Sequence, residues 1–120
     1  MIDSRAVGER WERVAESYLQ ARGLRTITRN FHCRLGEIDL IMEDGDCLVF
    51  AEIRYRRSTY YGSGAESVTK AKQSRIVRTA QRYLQSHRHR AMQPCRFDVL
   101  SMAYAGGKLD VTWIQDAFTC

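Results

Sequence analysis

Residues 36–55 constrain the fold more than any other stretch. Residues 36–42 (Gly-Glu-Ile-Asp-Leu-Ile-Met) and 47–55 (Cys-Leu-Val-Phe-Ala-Glu-Ile-Arg-Tyr) are both strand-like. Glu43-Asp44-Gly45-Asp46 lies between them, and Asp-Gly is a preferred tight-turn pair. The spacing predicts a β-hairpin. The second run starts apolar on both faces, so its strand is expected in the middle of a sheet. With the turn at Asp44-Gly45, Ile41 faces Leu48, Asp39 faces Phe50 and Glu37 faces Glu52. Side chains alternate across a strand, so Glu37, Asp39, Glu52 and Arg54 are expected on one face. Asp39 and Glu52 become diagonal neighbours across the hairpin, with backbone positions about 7–8 Å apart.

Carboxylates packed so closely beside apolar strands repel one another and raise at least one pKa unless a cation compensates. Hard oxygen ligands with room for water suit Mg²⁺ or Mn²⁺. Such an ion can orient a water and stabilise charge on a phosphate. The same spacing also suits a solvent-exposed face on which Glu52 and Arg54 are ordinary surface charges.

The rest of the chain reads as helix, three strands, helix, two strands. Residues 4–22 carry Val7, Trp11, Val14, Ala15, Tyr18 and Leu19 at helical spacing, with Asp3 or Ser4 to cap the start and Gly23 to end it. Residues 25–33 are rich in β-branched residues and predict a strand. Residues 57–67 read as a loop. A second helix is expected over about 69–86, with Ile76, Val77, Ala80, Tyr83 and Leu84 as its apolar stripe. Pro94 blocks its continuation, and strands are expected over about 97–104 and 109–114, joined by Gly106-Gly107. The order predicts an α/β fold, a mixed β-sheet flanked by α-helices, and 120 residues suit one domain, 1–120.

Charge is unevenly placed. Lys and Arg number 19 and Asp and Glu 14, a net +5. From Arg54 to Arg96 there are eleven basic residues and one acid, Glu66, whereas residues 36–53 hold six acids and no Lys or Arg. Cations beside an acidic pocket are what phosphodiester cleavage needs, since they hold the polyanion while carboxylates hold a metal. Lys72, Arg75, Arg78 and Arg82 fall opposite the apolar stripe of the second helix. With Arg56, Arg57 and Lys70 they form the candidate track for a nucleic-acid backbone, and a merely solvated helix face is the other reading. Tyr55, Tyr60 and Tyr61 suit either stacking on bases or packing on a helix.

Other chemistries find less support. Cys33, Cys47, Cys95 and Cys120 form no CxxC pair, which disfavours a zinc knuckle or a dithiol redox site. Cys47 reads as a core residue. His87 and His89 sit among arginines, which disfavours a metal and favours a solvated helix end. No run approaches the roughly 20 apolar residues that span a bilayer, so no membrane partner is expected. Residues 1–5 lack the apolar stretch of a signal peptide, which predicts reduced thiols in the cytoplasm.

Taken together, residues 36–41 (Gly-Glu-Ile-Asp-Leu-Ile) and 49–56 (Val-Phe-Ala-Glu-Ile-Arg-Tyr-Arg) resemble the signature of the YraN-like bacterial proteins. These are similar to archaeal Holliday-junction resolvases in the PD-(D/E)XK nuclease superfamily. The resemblance extends through Gly8-Glu9, Arg29-Asn30, Gly62, Lys72-Gln73 and residues 96–99 (Arg-Phe-Asp-Val), nearly the whole chain in the same order. It implies a restriction-endonuclease-like core. Asp39 matches the superfamily's metal-binding aspartate, Glu52 the acid of its E-x-K motif, and Glu9 the glutamate of its first helix. It also implies a homodimer, since two cuts on a symmetric junction need two sites.

Arg54 departs from the pattern, which has lysine there. Arginine keeps the charge and can grip a phosphate bidentately, but it is larger, planar and never deprotonated. Two readings follow. One is a Mg²⁺- or Mn²⁺-dependent endonuclease acting on DNA, including branched DNA, with Asp39 and Glu52 on the metal, Glu9 assisting and Arg54 on the phosphate. The other is a non-catalytic nucleic-acid binder on a nuclease scaffold.

Overall fold

A computed structural model describes residues 4–56 and 68–119, with side chains placed at 8–55, 68–104 and 106–119. The elements are α1 (Ser4–Ala21), β1 (Arg25–Cys33), β2 (Gly36–Asp44), β3 (Cys47–Arg56), α2 (Lys70–Ser86), a 3-10 turn (Arg88–Arg90), β4 (Cys95–Ala105) and β5 (Lys108–Phe118). The five strands lie in the order β1-β2-β3-β4-β5. All pairings are antiparallel except β3 with β4, which is parallel and whose crossover includes α2. This is an α/β fold, consistent with a restriction-endonuclease-like mixed sheet flanked by helices. No helix among the described residues is long and apolar enough to cross a membrane.

The helices pack on opposite faces of the sheet. Ala15 and Leu19 of α1 are buried against Leu40, Met42, Val49, Ala51, Leu100 and Met102, with Trp11, Val14 and Tyr18 at the margin. Ile76, Ala80 and Tyr83 of α2 are buried against Ile38, Ile41, Leu48, Phe50, Phe97 and Val99, with Val77 and Leu84 beside them. Each large side chain removed from water this way stabilises the sandwich by about 1.5–3 kcal/mol. β3 is the central strand, as its apolar start requires.

Local signals explain the ends. Gly23 adopts φ +97 and closes α1, with the Leu24 N–H donating to the Leu19 carbonyl (3.2 Å). Thr69 caps α2, its hydroxyl oxygen accepting from the Lys72 N–H (3.2 Å). His87 closes α2 at the expected helix end and is half-buried there, between exposed Ser86 and Arg88. Its N–H donates to the Leu84 carbonyl and its ring stacks on Tyr83 (4.1 Å between centroids). Cys47 is half-buried at the start of β3 rather than in the core.

β5 runs four residues past its expected end. A bulge between Phe97 and Val99, with Asp116 at φ +53, lets Phe118 pair with Phe97. Asp98 sits in that bulge, almost wholly buried. It accepts hydrogen bonds from Arg96 Nε, Trp113 Nε1 and the Asp116 N–H.

The hairpin register differs from the expected one. Asp44 pairs with Cys47, Ile41 with Phe50 and Leu40 with Ala51. The turn residues are therefore Gly45 and Asp46, with Gly45 at φ +59 in the first position. The expected turn at Asp44-Gly45 would have placed an aspartate there. The two-residue shift conserves parity along β3 but brings Asp39 level with Glu52 instead of diagonal to it.

Candidate active site at the end of the β2–β3 ladder

Asp39 stands where β2 parts from β3. The paired register ends at Leu40 and Ala51. The Ile53 N–H, next in line, donates to Asp39 Oδ2 (2.8 Å). A carboxylate thus replaces a backbone carbonyl as the ladder's last acceptor.

β1 and β2 also change face here. Ile38 belongs to the α2-side core, while Leu40 belongs to the α1-side core. On β1, Arg29 reaches Glu16 of α1 and Phe31 packs on Tyr83 of α2. Strict alternation would put each pair on one face. Between them lie Asn30, at φ +52, and Asp39. This reversal corrects the expectation of four charges on one face. Gly36 and Ile38 face α2, so alternation turns Glu37 toward α1, where it lines a cleft with Glu12, Asn30 and His32, and it also borders the cleft that holds Asp39 and Glu52.

Glu52, buried on β3, keeps its place beside Asp39. Its Oε1 lies 2.8 Å from Lys72 Nζ of α2. Asp39, Glu52 and Lys72 line a cleft of about 450 Å³ together with Arg34 and Arg75. They also line a second cleft of about 350 Å³ with Glu12 and Arg54.

Burial pushes the Asp39 carboxyl up, and the neighbouring Glu52 pushes it further, to about 8, although the Ile53 N–H works the other way. Burial also raises Glu12, with Glu37, Glu9 and Glu52 adding to it. Glu12 Oε1 is buried and is an orphan among the described side chains, with no hydrogen-bond partner. Glu16, farther along α1, has a different fate. Burial raises it, but hydrogen bonds from Arg29 and Thr26 outweigh this and leave it lowered.

Among the described residues no three His, Cys, Asp or Glu side chains converge into a ready metal cage. Two carboxylates at one point, one of them strongly destabilised as an anion, nevertheless fit a hard divalent cation. Mg²⁺ in particular binds through one or two carboxylates and keeps several waters.

The other sequence candidates are distributed around this centre. Glu9 is exposed on α1 and shares a pocket with Glu12 and Asp39. Lys70, Arg75, Arg78 and Arg82 are exposed on α2, whereas Lys72 turns inward to Glu52. The Arg56 backbone ends β3, and Arg57, Tyr60 and Tyr61 lie outside the described residues, as does Cys120. Tyr55 stacks on Trp11 (4.0 Å between centroids), which makes it a packing residue rather than a base platform. Sequence reasoning missed Glu12. Its signal was the spacing of Glu9, Glu12 and Glu16, three and four residues apart on one side of α1.

Over residues 11–102 the chain matches the family described as "Uncharacterised protein family UPF0102". It is 52% identical over 111 residues to a UPF0102 protein of Nitrosococcus oceani, covering 92% of this chain and 90% of that one. It is 45% identical over 118 residues to a UPF0102 protein of Stutzerimonas stutzeri, covering 98% of each. A UPF0102 protein of Vibrio campbellii is 40% identical over 120 residues, with 99% and 97% covered.

Proposed function

The chain belongs to UPF0102, the YraN-like family, and from that premise we propose that it is a divalent-metal-dependent endonuclease acting on DNA, with branched DNA as its substrate class. One observation carries the reading. Asp39 and Glu52 are brought level at the end of a sheet ladder, where their repulsion calls for a cation, and clefts bearing Arg34, Arg54 and Arg75 open on either side. Asp39 and Glu52 would hold Mg²⁺ or Mn²⁺, which when bound supplies an acidified water and a counter-charge for the phosphate.

The chain's own residues do the rest. The Ile53 N–H fixes the orientation of the Asp39 carboxylate, and Lys72 fixes Glu52. The arginines grip phosphate oxygens and so hold the backbone across the acids. Two such sites in a homodimer would match the two strands of a symmetric junction.

The test offers purified protein supercoiled plasmid, single-stranded DNA and four-way-junction DNA with Mg²⁺ or Mn²⁺, and with chelator. The reading expects metal-dependent cleavage that is lost in Glu52→Ala and is fastest on the junction. Cleavage that survives Glu52→Ala would refute the assignment. Salt-sensitive binding with no cleavage would leave the non-catalytic binder, the reading that Arg54 favours.

A further inference from the structure

We propose that Lys72, reaching in from α2, is the catalytic cation of this site, and that Arg54 is a flanking contact to the DNA backbone. The proposal rests on the nuclease reading and adds to it which positive charge meets the reacting phosphate.

Asp39, Glu52 and Lys72 are the three residues shared by the two clefts. Arg34 and Arg75 line one cleft and Arg54 lines the other. A polyanion laid through both clefts therefore crosses Lys72 at the acids and meets guanidinium groups on either side.

The chemistry of the two cations differs in the same sense. An ammonium carries three N–H donors. One of those on Lys72 goes to Glu52 Oε1 at 2.8 Å, which leaves two for a water or a phosphoryl oxygen. Glu52 is almost wholly buried and the Lys72 side chain is one-third exposed, so the charge sits at the acid yet opens to the cleft. A guanidinium presents a flat fork suited to a phosphate held in place.

The position of Lys72 is not what helix physics favours. It lies in the first turn of α2, which has no acid to complement the positive end of the helix dipole. Side chains in a helix lean toward its N-terminus, and here that lean carries Lys72 to Glu52. Glu52 supplies the counter-charge that the turn itself lacks.

In the reaction the water oxygen forms a bond to phosphorus and the bond from phosphorus to one bridging oxygen breaks. One water proton ends on the leaving hydroxyl and the other passes from the new phosphate to solvent. Lys72 stays protonated throughout and donates to the oxygens on which charge accumulates.

The experiment compares wild type with Lys72→Ala, Lys72→Gln and Arg54→Ala, each checked for folding by its thermal melt. It measures kcat on junction DNA in Mn²⁺, Kd for the same DNA in Ca²⁺, and Mn²⁺ affinity without DNA. Lys72→Gln keeps a donor for Glu52 and guards against misfolding of the alanine variant. Both Lys72 variants are expected to lose about 100-fold or more in kcat with little change in Kd. Both are expected to bind Mn²⁺ more tightly, because a competing cation is gone. Arg54→Ala is expected to lose DNA affinity more than kcat. Wild-type turnover in Lys72→Gln would overturn the proposal, as would a loss accounted for by weaker DNA binding. An inert wild type would remove the nuclease reading and this proposal with it, whereas an active wild type with active Lys72 variants removes this proposal alone.

Discussion

Asn30 on β1 and Asp39 on β2 lie between the same two cross-strand pairs, at the point where both strands turn over. Arg29 pairs with Leu40 on one side of them and Phe31 with Ile38 on the other. The left-handed conformation of Asn30 makes the reversal possible on β1, and asparagine tolerates it better than other side chains. The reversal gives Asp39 access to clefts lined by α1 and by α2. Asn30→Val is therefore expected to destabilise the protein by about 1–2 kcal/mol, whereas Asn30→Gly stays close to wild type. Urea denaturation measures this. Equal stabilities of the two variants would contradict the role given to the backbone at Asn30.

The raised Asp39 carboxyl predicts a pH dependence. Its proton is held more tightly in the folded chain than in the unfolded one, where the ordinary value is 3.8. Between about 3.8 and about 8 the folded state thus binds more protons, and this group's contribution to stability falls as pH rises. The slope is at most about 1.4 kcal/mol per pH unit. Asp39→Asn should gain stability over wild type progressively across that window, and Mg²⁺ should raise the wild-type Tm more at pH 8 than at pH 5. Melting curves at several pH values decide it. A constant difference between wild type and Asp39→Asn would sink the assignment.

The exposed arginines of α2 predict a salt effect. Arg75 lines a cleft beside the acids, and Arg78 lies one turn farther along the same helix. Arg75→Glu and Arg78→Glu should each weaken DNA binding at low salt and flatten the plot of log K against log salt by about 1 or more. Unchanged slopes in fluorescence-anisotropy titrations would move the DNA path off α2.

The sequence revealed the layers because they depend on periodicity. The stripe from Ile76 to Leu84 and the apolar start at Leu48, Val49 and Phe50 predicted α2 and the central strand, and both packed as expected. The hairpin register depended on which turn residue takes a positive φ, a choice that moves Asp39 by two places. The reversal at Asn30 and Asp39 escaped because strict alternation is the only rule that a strand pattern offers. Glu12, and the inward turn of Lys72 to Glu52, escaped for a shared reason. A helical wheel separates the apolar side from the polar side, but it does not show that a particular polar residue leans into a cleft. The same limit hid Asp98, whose partners Trp113 and Asp116 come from β5.

The most direct test is the rate of junction cleavage across a Mn²⁺ titration, with DNA binding followed alongside, for wild type, Asp39→Asn and Glu52→Gln. The site described here predicts a wild-type rate that rises and saturates with metal. It also predicts losses of about 100-fold or more in both variants, with DNA binding retained. Cleavage at the wild-type rate in either variant, or a wild type that binds DNA but never cuts it, would contradict a metal-dependent nuclease centred on Asp39 and Glu52.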